Sequence, residues 1–418
     1  MSDYAKFLPE MKKTHRILVP SMLPIHFKLL TPIFAKSGYQ IEVLQNEGDS
    51  VREAGLSHVH NDTCYPCLLV VGQMIDALKS GKYDLDHTAL AMTQTAGGCR
   101  ASNYISLLRK ALKQEGWEQI PCLSVNYAGL EKDSSMEFTL DLVLRLVYGV
   151  LYGDALLWLK NQVKPYETEA GATDRTIDQI CADLIEDFSS ARYRQSKRIY
   201  REMIRRLKNV PQDRSQKKIR VGVVGEIYMK YSPLGNSHLE DFLIEGGFEP
   251  VLSGAMDFGL YCIQNELVDY EYYHMHKNHR FTFGTAKKII MAMQNVFRRE
   301  LQKDGTFYLP DNFEEVFANG HDYISPGVKM GEGWLLTSEV VTLIKSGVDN
   351  VIMAQPFGCL PNHIVAKGMI RKIKDQYPDA NIVAIDFDPS ASKVNQENRI
   401  RLMMSNARLS EERKNDHQ

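Results

Sequence analysis

The chain has 418 residues, 44% of them hydrophobic and 24% charged, with a formal net charge of −2 at pH 7. That length holds about two or three domains with real cores. The near-neutral balance leaves no electrostatic footprint for nucleic acid or an anionic membrane, so neither is expected as a partner.

Read in chain order, the N-terminal MSDYAKFLPEMKKTHR lacks the apolar core of a signal peptide. Buried strands are expected at RILVPSM (16–22), IEVLQ (41–45), ALAMTQ (89–94) and IPCLSVN (120–126). Between them lie the helix candidates VVGQMIDALKSG and ASNYISLLRKALKQEG, each closed by Gly in the manner of a helix C-cap. The most apolar candidate, LDLVLRLVYGVLYGDALLWLK (140–160), is interrupted by Asp141, Arg145 and Asp154. It reads as a buried helix rather than a membrane span, and a cytoplasmic protein is expected. A second series of strands follows at IRVGVVGE (219–226), FEPVLSG (248–254), VDNVIMAQ (348–355) and ANIVAIDFD (380–388).

Alternation of short β-branched runs with helices argues for α/β architecture with parallel sheets covered on both faces. The organisation expected is an N-terminal α/β domain (1–170), a helical connector (171–216) and a C-terminal α/β domain ending in a helix (217–418). Within the connector, residues 191–220 carry twelve Lys/Arg against two Asp/Glu. Its apolar stripe is Ile199, Met203, Ile204 and Leu207, so the charges read as a solvated helix face, with docking of an acidic partner as the alternative. No aromatic platform accompanies the basic run to suggest nucleic acid.

Seven cysteines lie at 64, 67, 99, 122, 181, 262 and 359. Cytosolic thiols stay reduced, so clustered cysteines there point to metal or catalysis before disulfides. HNDTCYPCLLVV puts Cys64 at a helix start, where the dipole lowers a thiol pKa and a dithiol switch is one reading. Cys99 in QTAGGCRASNY and Cys359 in AQPFGCLPNH each follow a strand and open a helix. Cys122 lies inside the IPCLSVN strand and Cys262 just after a strand. Ligands of parallel α/β sheets gather at the carboxyl ends of strands. Cysteines delivered there, with Gly97–Gly98 and Gly358 admitting close backbone approach, suit one polynuclear iron–sulfur site. Structural zinc is the other metal, but it usually takes paired CxxC knuckles and only one occurs. Helical Cys181 in DQICADLIEDF reads as core. His274, His276 and His279 read as exposed or packing residues. GVVGE lacks the glycines of a dinucleotide fingerprint, and no GxxxxGK[ST] occurs.

The segments NDTCYP, MTQTAGGCRASNYISLLRKAL, GVVGEIYMKYSPLGNSHLEDFL, QPFGCLPNHIVAKGMI and IVAIDFDPSASKVNQENRI together resemble the 2-hydroxyacyl-CoA dehydratase superfamily. Within it the chain is most similar to the double-cubane-cluster proteins, and also to the C-terminal part of the large activator-related proteins. The resemblance implies two Rossmann-like domains with an iron–sulfur cluster in the cleft between them. Cys64, Cys99 and Cys359 match the three cysteines that hold a 4Fe-4S cubane in that superfamily. Double-cubane proteins carry three more, for an 8Fe-9S cluster; Cys67, Cys122 and Cys262 are then the second set, since setting Cys181 aside leaves six. CYPC in place of the CYPA of the large activator-related proteins favours the double-cubane form.

The function so implied is that of a low-potential reductase component, active in anaerobic metabolism and homodimeric. An ATP-hydrolysing iron–sulfur reductase, the activator, would supply single electrons, and a small molecule would be reduced. ATP would belong to that partner, so no nucleotide is expected on this chain. Two alternatives remain: a 2-hydroxyacyl-CoA dehydratase subunit with a single 4Fe-4S cluster, and a noncatalytic electron carrier.

Overall fold

The computed structural model describes residues 4–60, 62–94, 98–125, 136–389 and 393–416. Gly97, Asn126 and parts of the motif stretches, among them Asn61 and Ser390, lie outside the described residues.

Among the described residues eight strands form at the eight expected runs, three of them reaching one residue beyond: β1 (Arg16–Val19), β2 (Gln40–Val43), β3 (Thr88–Thr93), β4 (Cys122–Val125), β5 (Arg220–Gly225), β6 (Glu249–Val251), β7 (Asn350–Pro356) and β8 (Asn381–Phe387). They make two four-stranded sheets, ordered β2-β1-β3-β4 and β6-β5-β7-β8. Every pairing is parallel; Ile17 faces Ile41 and Ala89, and Gly222 faces Val251 and Val351. The direction of chain winding therefore reverses between β1 and β3 in one sheet and between β5 and β7 in the other. Those are the positions where open α/β sheets bind ligands.

Period-two alternation decides which side chains meet which layer. Leu18, Leu90 and Met92 point into the main core, while Ile17, Val19, Ala89 and Ala91 point to the opposite face with Phe7 and Tyr39. In the second sheet Ile352, Ala354, Ile385 and Phe387 join that same main core, and Val351, Met353, Ile382 and Ala384 face a separate cluster. One continuous apolar core thus runs from β1 and β3 through to β5, β7 and β8. The two halves are fused through it rather than tethered by a linker.

The helix Leu140–Val163 is the beam of this junction. Thr139 caps it, its hydroxyl accepting from the Leu142 N–H at 3.2 Å. By length and composition it could cross a membrane, but 56% of its most apolar window is buried inside the fold. The three charges that interrupt it are all engaged. Arg145 Nε donates to Asp141 at 2.6 Å. Asp154 accepts from His26 Nε2 at 2.8 Å and from the backbone N–H groups of Ala255 and Met256 at 2.6 and 3.0 Å. One carboxylate therefore caps the first turn of the helix Ala255–Tyr273 in the second half while holding a histidine of the first. Gly153 makes the crossing possible: a Cβ there would stand 2.4 Å from the His26 ring.

In the basic connector, the stripe Ile199, Met203, Ile204 and Leu207 is buried on the helix Ser196–Lys208. Half of the twelve cations of the basic stretch meet carboxylates of the same chain. Arg192 and Arg198 pair with Asp187, Arg201 with Glu300, Arg205 with Glu202, Arg206 with Asp183, and Lys208 with Asp304. The charge excess legible in this stretch is partly neutralised by neighbouring helices.

Candidate metal centre

Cys64 sits in extended geometry at the N-cap of the helix Tyr65–Lys79. Pro66 falls within the first turn, where its missing N–H loses nothing. Cys67 is one helical turn further in and fully buried, and every residue from Tyr65 to Ile75 is buried with it. Cys99 follows β3 and caps a short 3₁₀ turn (Arg100–Asn103) that runs into the helix Tyr104–Gln114. Cys359 follows β7, is buried, and precedes a π-type turn over Asn362–Ala366.

These three positions, two from the first half and one from the second, share one neighbourhood. The Tyr65 N–H donates to the Phe357 carbonyl at 3.1 Å. Arg100 Nη1 donates to the carbonyls of Asp62 at 2.6 Å and Gly358 at 3.0 Å. Gly358 has φ +74°, a conformation that favours glycine, and a Cβ on it would lie 3.4 Å from the Cys64 Cα. A Cβ on Gly331 would lie 2.9 Å from Pro361 and 3.8 Å from the Cys99 sulfur.

Two carboxyl groups complete the floor. Glu226 directly follows β5 and accepts from the Met229 N–H at 2.8 Å, and Glu332 accepts from the Ile227 N–H at 3.1 Å. Burial and the neighbouring Glu332 push Glu226 up to about 8. The charge of Glu226 acts on all three cysteines, and that of Glu332 on Cys99 and Cys359. Two sulfurs have side-chain hydrogen-bond partners: the Tyr104 hydroxyl lies 2.7 Å from Cys64 Sγ, and Asn362 Nδ2 donates to Cys359 Sγ at 3.2 Å. The N–H of Cys67 faces the Cys64 sulfur, and those of Arg100 and Ala101 face Cys99, without closing cap hydrogen bonds.

Burial nevertheless dominates the thiols. It pushes Cys64 up to about 11, and Cys67 and Cys359 higher still. A dithiol switch needs a depressed pKa for its attacking thiolate, so the CxxC pair is poorly suited to that chemistry. Burial raises the helical Cys181 thiol as well, so the shift marks dry packing and does not by itself single out a metal site. Among the described residues, no three His, Cys, Asp or Glu side chains are arranged to hold a single metal ion.

The remaining cysteines separate. Cys262 lies on the helix Ala255–Tyr273, is solvent-accessible, and feels the charge of Glu332. Protein still crowds it enough to raise its thiol. Cys122 opens β4 at its amino end, opposite Leu90, about 10 Å of strand rise short of the carboxyl edge. Cys181 is buried in the helix Ala172–Ser189. His276 and His279 stack at 4.7 Å at the exposed turn between two helices, where His279 pairs with Glu266. Glu226, Tyr104 and Asn362 lie inside motif segments but were not singled out there, and Glu332 lies in a stretch without a motif of its own.

The fold and the site define a two-sheet α/β protein with a cysteine- and carboxyl-lined centre where its halves meet. No protein-family model matches the chain, and no curated protein matches it either.

Proposed function

We propose that this chain is the iron–sulfur component of a low-potential reductase, with Cys64, Cys99 and Cys359 as the ligands of a cubane. The observation that carries this reading is the meeting of three desolvated cysteines from both halves beside the reversal point of the second sheet. A cubane held by three thiolates keeps one iron open and supplies one-electron reduction to a small molecule there. Cys67 lies one helical turn beyond Cys64, and Cys262 feels the charge of Glu332. Cys122 opens β4 at its amino end, away from the carboxyl edge after which Cys99 follows β3, and two cubanes with three thiolates each would need it as the sixth. That observation favours the single 4Fe-4S form, as in a dehydratase subunit, over the 8Fe-9S form.

The chain's own residues have separable tasks. Cys64 and Cys99 orient from the first half and Cys359 from the second, with Arg100 tying the two together. Glu226 and Glu332 form a buried carboxyl pair in which burial and mutual repulsion favour holding a proton, and that proton is what a reduced substrate would take up. Electrons would come from an ATP-hydrolysing iron–sulfur partner. The exposed apolar side chains Phe357, Leu360 and Ile364 beside Cys359 are the surface it would approach. The test is iron and acid-labile sulfide per chain in anaerobically prepared protein, with an electron paramagnetic resonance spectrum after reduction. About four irons support the single cubane, and about eight would restore the double one. Stoichiometric zinc without iron would refute both.

A further inference from the structure

We infer that Tyr104 and Asn362 set the reduction potential of this centre by donating hydrogen bonds to the sulfurs of Cys64 and Cys359. The inference rests on the iron–sulfur reading above. It starts from two polar groups in a dry setting. Tyr104 is only 9% exposed, and a phenol buried to that extent needs a polar partner. Its hydroxyl finds the Cys64 sulfur at 2.7 Å. With the thiolate bound to iron the sulfur has no proton to give, so the phenol is the donor. Asn362 is fully buried and points Nδ2 at the Cys359 sulfur at 3.2 Å, while its Oδ1 has no partner among the described residues. A buried amide carbonyl without a partner costs about 1–3 kcal/mol. An asparagine kept under that burden is placed for its N–H, and the N–H meets sulfur.

The two donors act on opposite sides of the junction, one on the first-half ligand and one on the second-half ligand. Cys99 is served differently: among the described residues it faces backbone N–H groups of its own turn. A donor to a ligating sulfur stabilises the more negative, reduced state more than the oxidised one and so raises the potential. Here the side chains bring the centre within reach of its electron donor.

The experiment is an anaerobic redox titration of the iron-loaded full chain, followed by electron paramagnetic resonance, for wild type, Tyr104→Phe, Asn362→Leu and the double variant. Tyr104→Phe deletes one oxygen and keeps the ring; Asn362→Leu keeps the volume and removes the amide. Iron and sulfide per chain should stay at wild-type values. At the wild-type midpoint each single variant should show a reduced-to-oxidised ratio about 3- to 10-fold lower, and the double variant a still lower one. A merely structural role would change melting behaviour and leave the midpoint in place. If Tyr104→Phe loads no iron, Asn362→Leu reads the same effect at the other sulfur. Wild-type midpoints at full iron content overturn the inference, whereas a wild-type chain that binds no iron overturns the reading beneath it.

Discussion

Arg100 donates to the Gly358 carbonyl at 3.0 Å, joining the turn that opens at Cys99 to the loop that presents Cys359. The same guanidinium nitrogen holds the Asp62 carbonyl, two residues before Cys64. One exposed side chain therefore fixes the relative position of three cysteine-bearing segments from both halves of the molecule.

Arg100→Ala should consequently loosen the centre without unfolding the protein. Loss of an exposed side chain is expected to cost within about 1 kcal/mol of global stability. Iron retention during anaerobic gel filtration should fall several-fold. Equal retention in variant and wild type would show that the segments are held by packing alone.

Single cysteine substitutions sort the ligands. Cys64→Ala, Cys99→Ala and Cys359→Ala should each lower iron content sharply. Cys181→Ala and Cys122→Ala should keep it and cost about 1 kcal/mol from lost packing. Iron analysis paired with thermal melts separates the two groups, and iron lost from Cys122→Ala would bring back the six-thiolate assignment.

The pair Lys230–Glu339, at 2.8 Å and almost wholly buried, is a second target. Lys230→Met should destabilise the fold by about 3–5 kcal/mol, because Glu339 is left charged and unpaired in the core. The double variant Lys230→Met/Glu339→Leu should recover most of that loss. Urea unfolding of the three proteins measures both steps.

Asp257 lies in the first turn of the helix Ala255–Tyr273 and accepts from Gln294 at 2.9 Å. Burial, then Asp154 and Glu339, raise it from its ordinary 3.8 to about 7, against the opposing pull of Gln294 and Lys230. Between those values the native state keeps a proton that the unfolded chain has released. Stability from this group is therefore full below about pH 4 and is lost as pH rises toward 7. The side chain retains some solvent contact, so the loss is on the order of 1–3 kcal/mol. In Asp257→Asn the slope of unfolding free energy against pH should flatten over that window; an unchanged slope would assign it to other groups.

Much of the fold was legible because strands buried on both faces spell short runs rich in β-branched residues, such as Ile219–Val224 with its Val221, Val223 and Val224. The order of strands within each sheet was not legible, since β1 pairs with β3 through contacts far apart in sequence. Asp154 shows the limit from another side. In sequence it is an interruption of an apolar helix; its role depends on His26 and on a helix start about a hundred residues away. Cys122 joins the second ligand set by count, since setting Cys181 aside leaves six, but its place at the amino end of β4 bears on what it can reach. Glu226 lay in plain view in GVVGE, where the eye goes to the missing glycines. Its meaning comes from Glu332, which only the fold brings near.

The division of the three proposed ligands between the halves also has a chronology. Ribosomes deliver Cys64 and Cys99 long before Cys359. Because both halves share one core, the first sheet cannot finish burying its thiols until the second is made. Under the proposed assignment a cluster would find its third thiolate only after β7 has been translated and packed.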